Sequence, residues 1–204
     1  MKRTTAVRHL VELSEVASEQ ARLGADDWPL ASMWATGELL GPASELEVGE
    51  VVLVIEAPPE EMPWLALHPA GEWVGHVLRL GKRPLLWRYR PLVWPVWSVR
   101  DRRLARFWST GEGIDDDAIT ALREVRPDGP PLVTTPSERE LIDQLREERR
   151  VSAAHLRRVL EHYWDRDWRR DHKGYEESPE DHLWRAGQAV TEIDDALAAL
   201  GVAD

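Results

Sequence analysis

Two carboxylates stand two residues apart, at Glu45 and Glu47, just before an apolar run at residues 51–55. Alternate residues of an extended chain point to the same side, so both side chains can contact one Mg²⁺ ion. Mg²⁺ takes oxygen ligands and commonly binds phosphate oxygens in its remaining positions. Two carboxylates at this spacing can therefore share one Mg²⁺ ion. The alternative is a solvated turn that precedes a core strand.

Residues 35–48 read A-T-G-E-L-L-G-P-A-S-E-L-E-V and lead directly into that apolar run. This stretch resembles the nucleotidyltransferase signature, in which a glycine and a small polar residue hold a triphosphate and a carboxylate pair binds the catalytic metal. The resemblance implies that Thr36 and Gly37 bind phosphate, and that Glu45 and Glu47 are catalytic residues that bind Mg²⁺. It also implies a nucleotidyltransferase-like mixed sheet with flanking helices.

The stretch departs from the signature in its carboxylates. Both metal positions hold glutamate, whose longer side chain alters a geometry that Mg²⁺ constrains tightly. The third carboxylate has no counterpart in the arginine-bearing segments 85–90 and 96–100, and Asp101 is the nearest acid. We therefore expect a degenerate nucleotidyltransferase-like protein that binds a nucleotide or another phosphorylated ligand. Any transfer activity would be weak and Mg²⁺-dependent.

Charge is distributed unevenly along the chain, whose formal net charge of -11 gives no strong nucleic-acid signal. Residues 9–78 hold thirteen acids and one base, whereas residues 79–106 hold nine bases and one acid, Asp101. Arginine that alternates with aromatic rings can hold a phosphate and stack a base, which makes Arg88 and Arg90 candidate phosphate ligands. The alternative is that tryptophan forms the core, while arginine stems cover it and pair with the acids.

A second polar cluster occupies residues 162–172, where five residues separate Arg166 from His172. The spacing is similar to the R-x(4-6)-H motif of the HEPN helical ribonucleases, which accompany minimal nucleotidyltransferases in toxin–antitoxin pairs. The resemblance implies that Arg166 steadies a phosphate while His172 moves a proton near neutral pH. His155 and His162 share one helical face, but seven scattered histidines are more typical of surface residues than of a metal site.

Nearly the whole chain resembles an uncharacterised family of actinobacterial proteins, and three stretches carry the resemblance most clearly. They are residues 45–64, residues 94–97 (W-P-V-W) and residues 106–109 (R-F-W-S). This resemblance brings no established activity. A function of another class therefore remains open, that of a non-catalytic interaction or scaffold protein whose charged faces or exposed tryptophans bind a protein partner or a second copy.

Composition excludes several classes of protein. The 204 residues contain eleven tryptophans and no cysteine, so a disulfide framework, a thiol nucleophile, a zinc finger and an iron–sulfur site are excluded. The absence of cysteine and of an apolar run of about 18 residues predicts a cytoplasmic protein that does not enter the membrane. No P-loop, dinucleotide fingerprint or G-x-S-x-G elbow occurs, which removes the commonest ATPase, dehydrogenase and hydrolase classes.

The order of apolar patterns predicts an α+β fold. We expect helices at residues 4–23, 72–80, 115–126, 138–170 and 179–200, and strands at residues 28–36, 48–57, 85–90 and 96–100. Ser137 and Glu140 predict a capping box at the start of the long helix. Prolines near residue 130 predict a linker. The expected domains are an α+β domain at 1–127, a Pro-rich linker at 128–136 and a C-terminal helical hairpin within 137–204.

Overall fold

The structure is a computed structural model that describes residues 1–24, 28–124, 132, 135–173 and 178–202. Within these residues the chain forms six α-helices and a five-stranded mixed sheet, which is an α+β fold. The helices are α1 (Arg3–Leu23), α2 (Pro69–Val77), α3 (Asp116–Glu124), α4 (Glu138–His162), α5 (Arg166–Asp171) and α6 (Pro179–Ala199). The strands are β1 (Leu30–Thr36), β2 (Gly49–Ile55), β3 (Leu85–Pro91), β4 (Ala105–Ser109) and β5 (Gly113–Ile114). No described helix is long and apolar enough to cross a membrane.

The chain divides into two compact units that are not contiguous in sequence. Unit 1 comprises Met1–Ala57 and Pro69–Thr135, and unit 2 comprises Pro58–His68 and Pro136–Asp204. Unit 2 thus includes a short segment that the sequence analysis assigned to the N-terminal domain. Most of the predicted linker at residues 128–136 lies outside the described residues.

The sheet belongs to unit 1 and has the strand order β3-β2-β1-β4-β5. Strand β2 pairs with β1 in antiparallel orientation and with β3 in parallel orientation. The parallel pair is possible because the connection that contains α2 returns the chain to the end of the sheet at which β2 began. Six of the seven residues of β2 are buried. The apolar run of Val and Ile at residues 51–55 therefore does form a buried strand within the sheet, as predicted.

Two glycines allow α2 to lie close to β3. A Cβ atom on Gly71 would lie 2.2 Å from Cε1 of Tyr89, and a Cβ on Gly75 would lie 2.8 Å from the Trp87 ring. Real Cβ atoms do not approach other atoms so closely, since contacts between carbon atoms are favourable only near 3.5–4.0 Å. The helix and the strand can therefore pack at this distance only if these positions lack side chains.

The substitution Gly71→Ala is expected to destabilise unit 1 by about 1–3 kcal/mol, because overpacking outweighs the roughly 1 kcal/mol that alanine gains in helix propensity. Gly187→Ala is the matched control, because its helix has open space at that position. The control should be neutral or stabilising. Urea unfolding of both variants measures the difference, and equal effects would contradict the close packing of α2 on β3.

A buried arginine, Arg3, connects helix α1 to the rest of unit 1. The Arg3 side chain is 3% exposed and donates five hydrogen bonds to backbone carbonyl groups. The acceptors are Glu38, Leu39, Gly41, Ala43 and Leu122, at 2.7–3.2 Å. These bonds connect the start of α1 to the loop that follows β1 and to α3.

The strand predicted at residues 96–100 is absent, and the sheet takes its fourth strand from β4 instead. A local turn explains the error. The backbone N–H of Ser98 donates to the carbonyl of Asp101 at 2.7 Å, and the Asp101 N–H donates to Ser98 Oγ at 3.1 Å. These bonds use backbone groups that a strand would offer to its neighbours.

The long helix predicted at residues 138–170 is two helices, α4 and α5. The Asp165 carboxylate accepts hydrogen bonds from the N–H groups of Asp167 and Trp168, at 2.8 and 3.2 Å, and so caps a new helix. At the other end of α4 the predicted capping box of Ser137 and Glu140 is confirmed.

Unit 2 forms its core where α4 packs against α6. Arg149 of α4 pairs with Asp194 of α6 at 2.5 Å, and apolar residues of both helices are buried. The segment Pro58–His68 joins this unit through Trp64, whose indole N–H donates to Glu192 at 3.0 Å. Trp64 is 3% exposed, so unit 2 buries a side chain that is distant in sequence from its helices.

Candidate functional site

A cavity of about 500 Å³, lined mostly by polar and charged residues, lies in unit 1 beside the sheet. Strand register places three of its lining side chains on one face, since Thr36 of β1 pairs with Glu50 of β2 and Glu50 pairs with Leu86 of β3. Arg88 lies two residues beyond Leu86 and shares that face. The loop before β4 completes the wall with Asp101, Arg102 and Arg103. We call this space the Arg88 cavity.

Arg88 is fixed in place by two carboxylates. Its Nε and Nη2 atoms donate to the two oxygens of Asp101 at 3.0 and 2.7 Å, and Nη2 also donates to Oε2 of Glu50 at 2.8 Å. Burial lowers the pKa of Arg88, but the hydrogen bonds and charges of Asp101 and Glu50 outweigh burial and raise it. The guanidinium therefore remains charged and has a fixed orientation.

Asp101 is itself held by neighbours and is only 5% exposed. The Thr36 hydroxyl lies 3.2 Å from Oδ1 of Asp101 and 3.0 Å from the carbonyl of Arg103, and the Ser98 hydroxyl donates to Oδ2 at 3.3 Å. Thr36 thus connects β1 to the loop that carries the cavity arginines. The carboxylate and the guanidinium are positioned before any ligand arrives.

Gly37 leaves room for the Glu50 carboxylate. Its φ of 62° is in the left-handed region, and a Cβ atom there would lie 2.5 Å from Oε1 of Glu50. Oε2 of Glu50 binds Arg88, whereas no hydrogen bond to Oε1 occurs among the described residues. One oxygen of this carboxylate is therefore available as an acceptor at the cavity wall.

The cavity also holds cationic groups with spare donors. The buried Nε of Arg102 has no hydrogen-bond partner in the described part of the chain. The same part of the chain provides no partner for the Arg103 side chain or for Nη1 of Arg88. Four arginines and two carboxylates line the cavity, so its formal lining charge is +2. The arrangement can bind an anion through charge-assisted hydrogen bonds.

The structure brings together three of the four predicted phosphate ligands, Thr36, Gly37 and Arg88. Arg90 lies elsewhere, since it is 2% exposed, donates to the carbonyl of Pro95 at 2.8 Å and packs over Trp94 at 5.7 Å. Arg88 and Arg90 are separated because they contact different parts of the loop after β3. Asp101 binds Arg88, whereas Trp94 and Pro95 contact Arg90.

Glu45 and Glu47 do not line the Arg88 cavity. Both are exposed in the segment before β2, where Glu45 forms an isolated bridge with Lys2 and the Glu47 N–H donates to Glu38 at 2.7 Å. Within the described ranges, no group of three or more His, Asp or Glu side chains has an arrangement that could hold a metal ion. The predicted metal pair is therefore separate from the arginine cluster.

Sequence reasoning missed Glu50, Arg102 and Arg103. Two signals could have found part of this site. Glu50 is the only acid inside an otherwise apolar strand, and Asp101 is the only acid in the basic segment 79–106. A lone charge of either kind predicts a buried or half-buried partner of opposite sign.

The residues of the ribonuclease-like motif lie at opposite ends of α5. Arg166 is exposed at its first position. His172 follows the last position, stacks on Trp168 at 4.2 Å and lies edge-on to His182 at 4.6 Å. His182 is 9% exposed, and its Nε2 has no partner in the described part of unit 2. Here His172 packs against aromatic rings and the start of α6.

A smaller cavity of about 210 Å³ lies in unit 1 against Leu30, Trp73, Val77 and Trp108. Its lining is mainly apolar, and none of the described residues around it is charged. It offers no counter-charge to an anionic ligand, whereas the Arg88 cavity does. Of these two cavities in unit 1, the Arg88 cavity is the candidate site for phosphate chemistry.

Comparison with known proteins places the chain in a family without identifying its ligand. No curated protein and no solved structure matches the chain. A family model described as a domain of unknown function, DUF7711, matches residues 1–199, nearly the whole length of the chain. The protein therefore belongs to the DUF7711 family.

Proposed function

We propose that this protein is a nucleotidyltransferase-like protein that binds a phosphorylated small molecule in the Arg88 cavity and has little or no transfer activity. The observation that carries the proposal is the convergence of Arg88, Arg102 and Arg103 on one cavity. The donors of Arg102, Arg103 and Arg88 Nη1 described above suit phosphate oxygens. Nucleotides and sugar phosphates both fall within this ligand class.

The position of the acidic pair supports binding rather than catalysis. A Mg²⁺-dependent transferase would need Glu45 and Glu47 beside the phosphates, and neither residue lines the cavity. Mg²⁺ therefore has no required role in the proposed binding. A cytoplasmic location, where phosphorylated metabolites are abundant, belongs to the same proposal.

The proposal predicts that phosphate compounds raise the melting temperature of the protein, because a ligand that binds only the folded state stabilises it. The measurement is thermal unfolding with inorganic phosphate, pyrophosphate and a panel of nucleoside triphosphates, each with and without Mg²⁺. We expect a shift that does not require Mg²⁺. The double variant Arg102→Gln/Arg103→Gln should lose it, since both side chains lack partners in the described residues and their loss should leave the fold intact.

Two controls make this test specific. Arg139→Gln removes an arginine that is 92% exposed on α4, and its ligand response should match that of the wild type. Glu45→Gln/Glu47→Gln should also respond normally. A shift that needs Mg²⁺ and is lost in the glutamate variant would instead support the transferase. Absence of any shift would remove the binding proposal.

A second function, that of an interaction protein, is favoured by exposed aromatic residues in unit 2. Trp164 and Trp184 are 83% and 70% exposed. Large exposed aromatic side chains are enriched at protein–protein interfaces. This function needs no cavity, so it is compatible with ligand binding in unit 1.

A further inference from the structure

The chemistry of the Arg88 cavity restricts the kind of phosphorylated ligand it can accept. Arg102 and Arg103 together carry two positive charges, and no carboxylate among the described residues pairs with either, so they complement a phosphate monoester, which carries about two negative charges near neutral pH. A phosphodiester carries a single charge and would leave part of the positive charge uncompensated. The charge balance therefore favours a terminal phosphate over a nucleic-acid backbone.

The arginines require an anionic group on the ligand, and Glu50 requires a hydrogen-bond donor. Its side chain is 24% exposed, Oε2 is bound to Arg88, and Oε1 has no hydrogen bond among the described residues. A carboxylate oxygen only accepts hydrogen bonds, so a ligand satisfies it with a hydroxyl or amino group. A ligand that has both a phosphate and hydroxyl groups satisfies the arginines and Glu50 at once.

The cavity lacks a platform for a nucleobase. None of the described residues that line it is aromatic, and its apolar contacts come from Leu40 and Leu86. Proteins that hold bases commonly stack them on aromatic rings, and each such contact contributes binding energy. A base in this cavity would gain little of that energy.

We infer that the ligand of the Arg88 cavity is a sugar phosphate or another phosphorylated polyol, with its phosphate at Arg102 and Arg103 and a hydroxyl group at Glu50. This inference rests on the proposed function and narrows it. Glu50 is then the residue that selects polyol phosphates over simple phosphate esters. Arg88 and Asp101 position Glu50 and the loop arginines.

The test is isothermal titration of the full-length protein with four probes: ribose 5-phosphate, methyl phosphate, dimethyl phosphate and adenosine 5′-monophosphate. Ribose 5-phosphate should bind about tenfold more tightly than methyl phosphate, because its hydroxyl groups add a hydrogen bond to the charged Glu50 side chain. Dimethyl phosphate should bind most weakly. Adenosine 5′-monophosphate should bind no more tightly than ribose 5-phosphate.

The variant Glu50→Gln separates the sugar contact from the phosphate contact. The glutamine carbonyl can still accept from Arg88, and circular dichroism verifies the fold. This variant should bind ribose 5-phosphate about tenfold more weakly, while its affinity for methyl phosphate should not fall, because the loss of a negative charge favours anions.

Three results would overturn the inference. An unchanged ratio between ribose 5-phosphate and methyl phosphate in Glu50→Gln would remove the role of Glu50. Adenosine 5′-monophosphate binding more than tenfold more tightly than ribose 5-phosphate would show base recognition and favour a nucleotide. Failure of every phosphate compound to bind the wild type would reject the proposed function itself, and is thereby distinguishable from the other two results.

Discussion

Replacing Arg3 with methionine is expected to lower the free energy of unfolding of unit 1 by roughly 3–5 kcal/mol. Methionine fills much of the space of the arginine stem but donates no hydrogen bond. The carbonyl groups of Leu39 and Leu122 accept from Arg3 in buried surroundings and would lose this donor. A buried polar group without a partner costs about 1–3 kcal/mol, and more than one group is affected here.

Arg8→Met is the matched control for this prediction, because Arg8 lies on the same helix, is 59% exposed and has Glu12 as its one partner among the described residues. It should change stability by less than about 1 kcal/mol. Urea unfolding with hydrogen exchange resolved by peptide assigns the loss to unit 1. An Arg3→Met effect as small as that of the control would mean that water replaces the guanidinium, and that Arg3 does not hold the loop after β1.

Acidification from pH 7 to pH 4 is expected to destabilise unit 2 through His155 and His182. Burial lowers the pKa of each histidine to about 4, with smaller contributions for His155 from the charges of Arg158 and His182. For His182, His172 and Arg185 also lower the pKa, and Asp181 opposes them. An unfolded histidine titrates near 6.5, so between pH 6.5 and 4 the unfolded chain binds protons that the folded unit does not.

The sign of this effect follows from linkage. The stabilising contribution is complete above pH 6.5 and is lost as the pH falls toward 4. One histidine contributes about 3 kcal/mol at 1.36 kcal/mol per pKa unit. The two contributions do not add fully, because the mutual repulsion of His155 and His182 is shared between them.

The measurement is the free energy of unfolding in urea at pH values from 4 to 7. His182→Gln removes a titrating group and should reduce the slope of stability against pH. His162→Gln is the control, because His162 is exposed at the end of α4. Equal slopes in both variants and the wild type would show that buried histidines are not the source of the acid sensitivity.

Local signals predicted the elements that depend on local chemistry. The run of β-branched residues produced β2, and Ser137 with Glu140 produced the capping box of α4. The strand predicted at residues 96–100 was wrong, because an apolar pattern indicates that side chains are buried but does not indicate which backbone groups form hydrogen bonds. Trp97 is 8% exposed, as the prediction required, but its segment does not pair with the sheet.

The candidate site was predictable only in part, for a reason of the same kind. Thr36, Gly37 and Arg88 could be recognised in the sequence as candidate phosphate ligands. Glu50 joins them because β2 pairs with β1, and Arg102 joins them because the loop before β4 is bound to Arg88 through Asp101. One sequence contains no record of either contact. Arg88 and Arg90 have the same type and similar neighbours, and the loop contacts that separate them are formed only in the folded chain.

The assignment of Pro58–His68 to unit 2 affects how the protein is made. Ribosomes release residues 58–68 long before the helices that bury Trp64 have been synthesised. Unit 1 can therefore fold around β2 and β3 while Trp64, on the segment between these strands, remains exposed to water. The last helix to emerge, α6, completes unit 2.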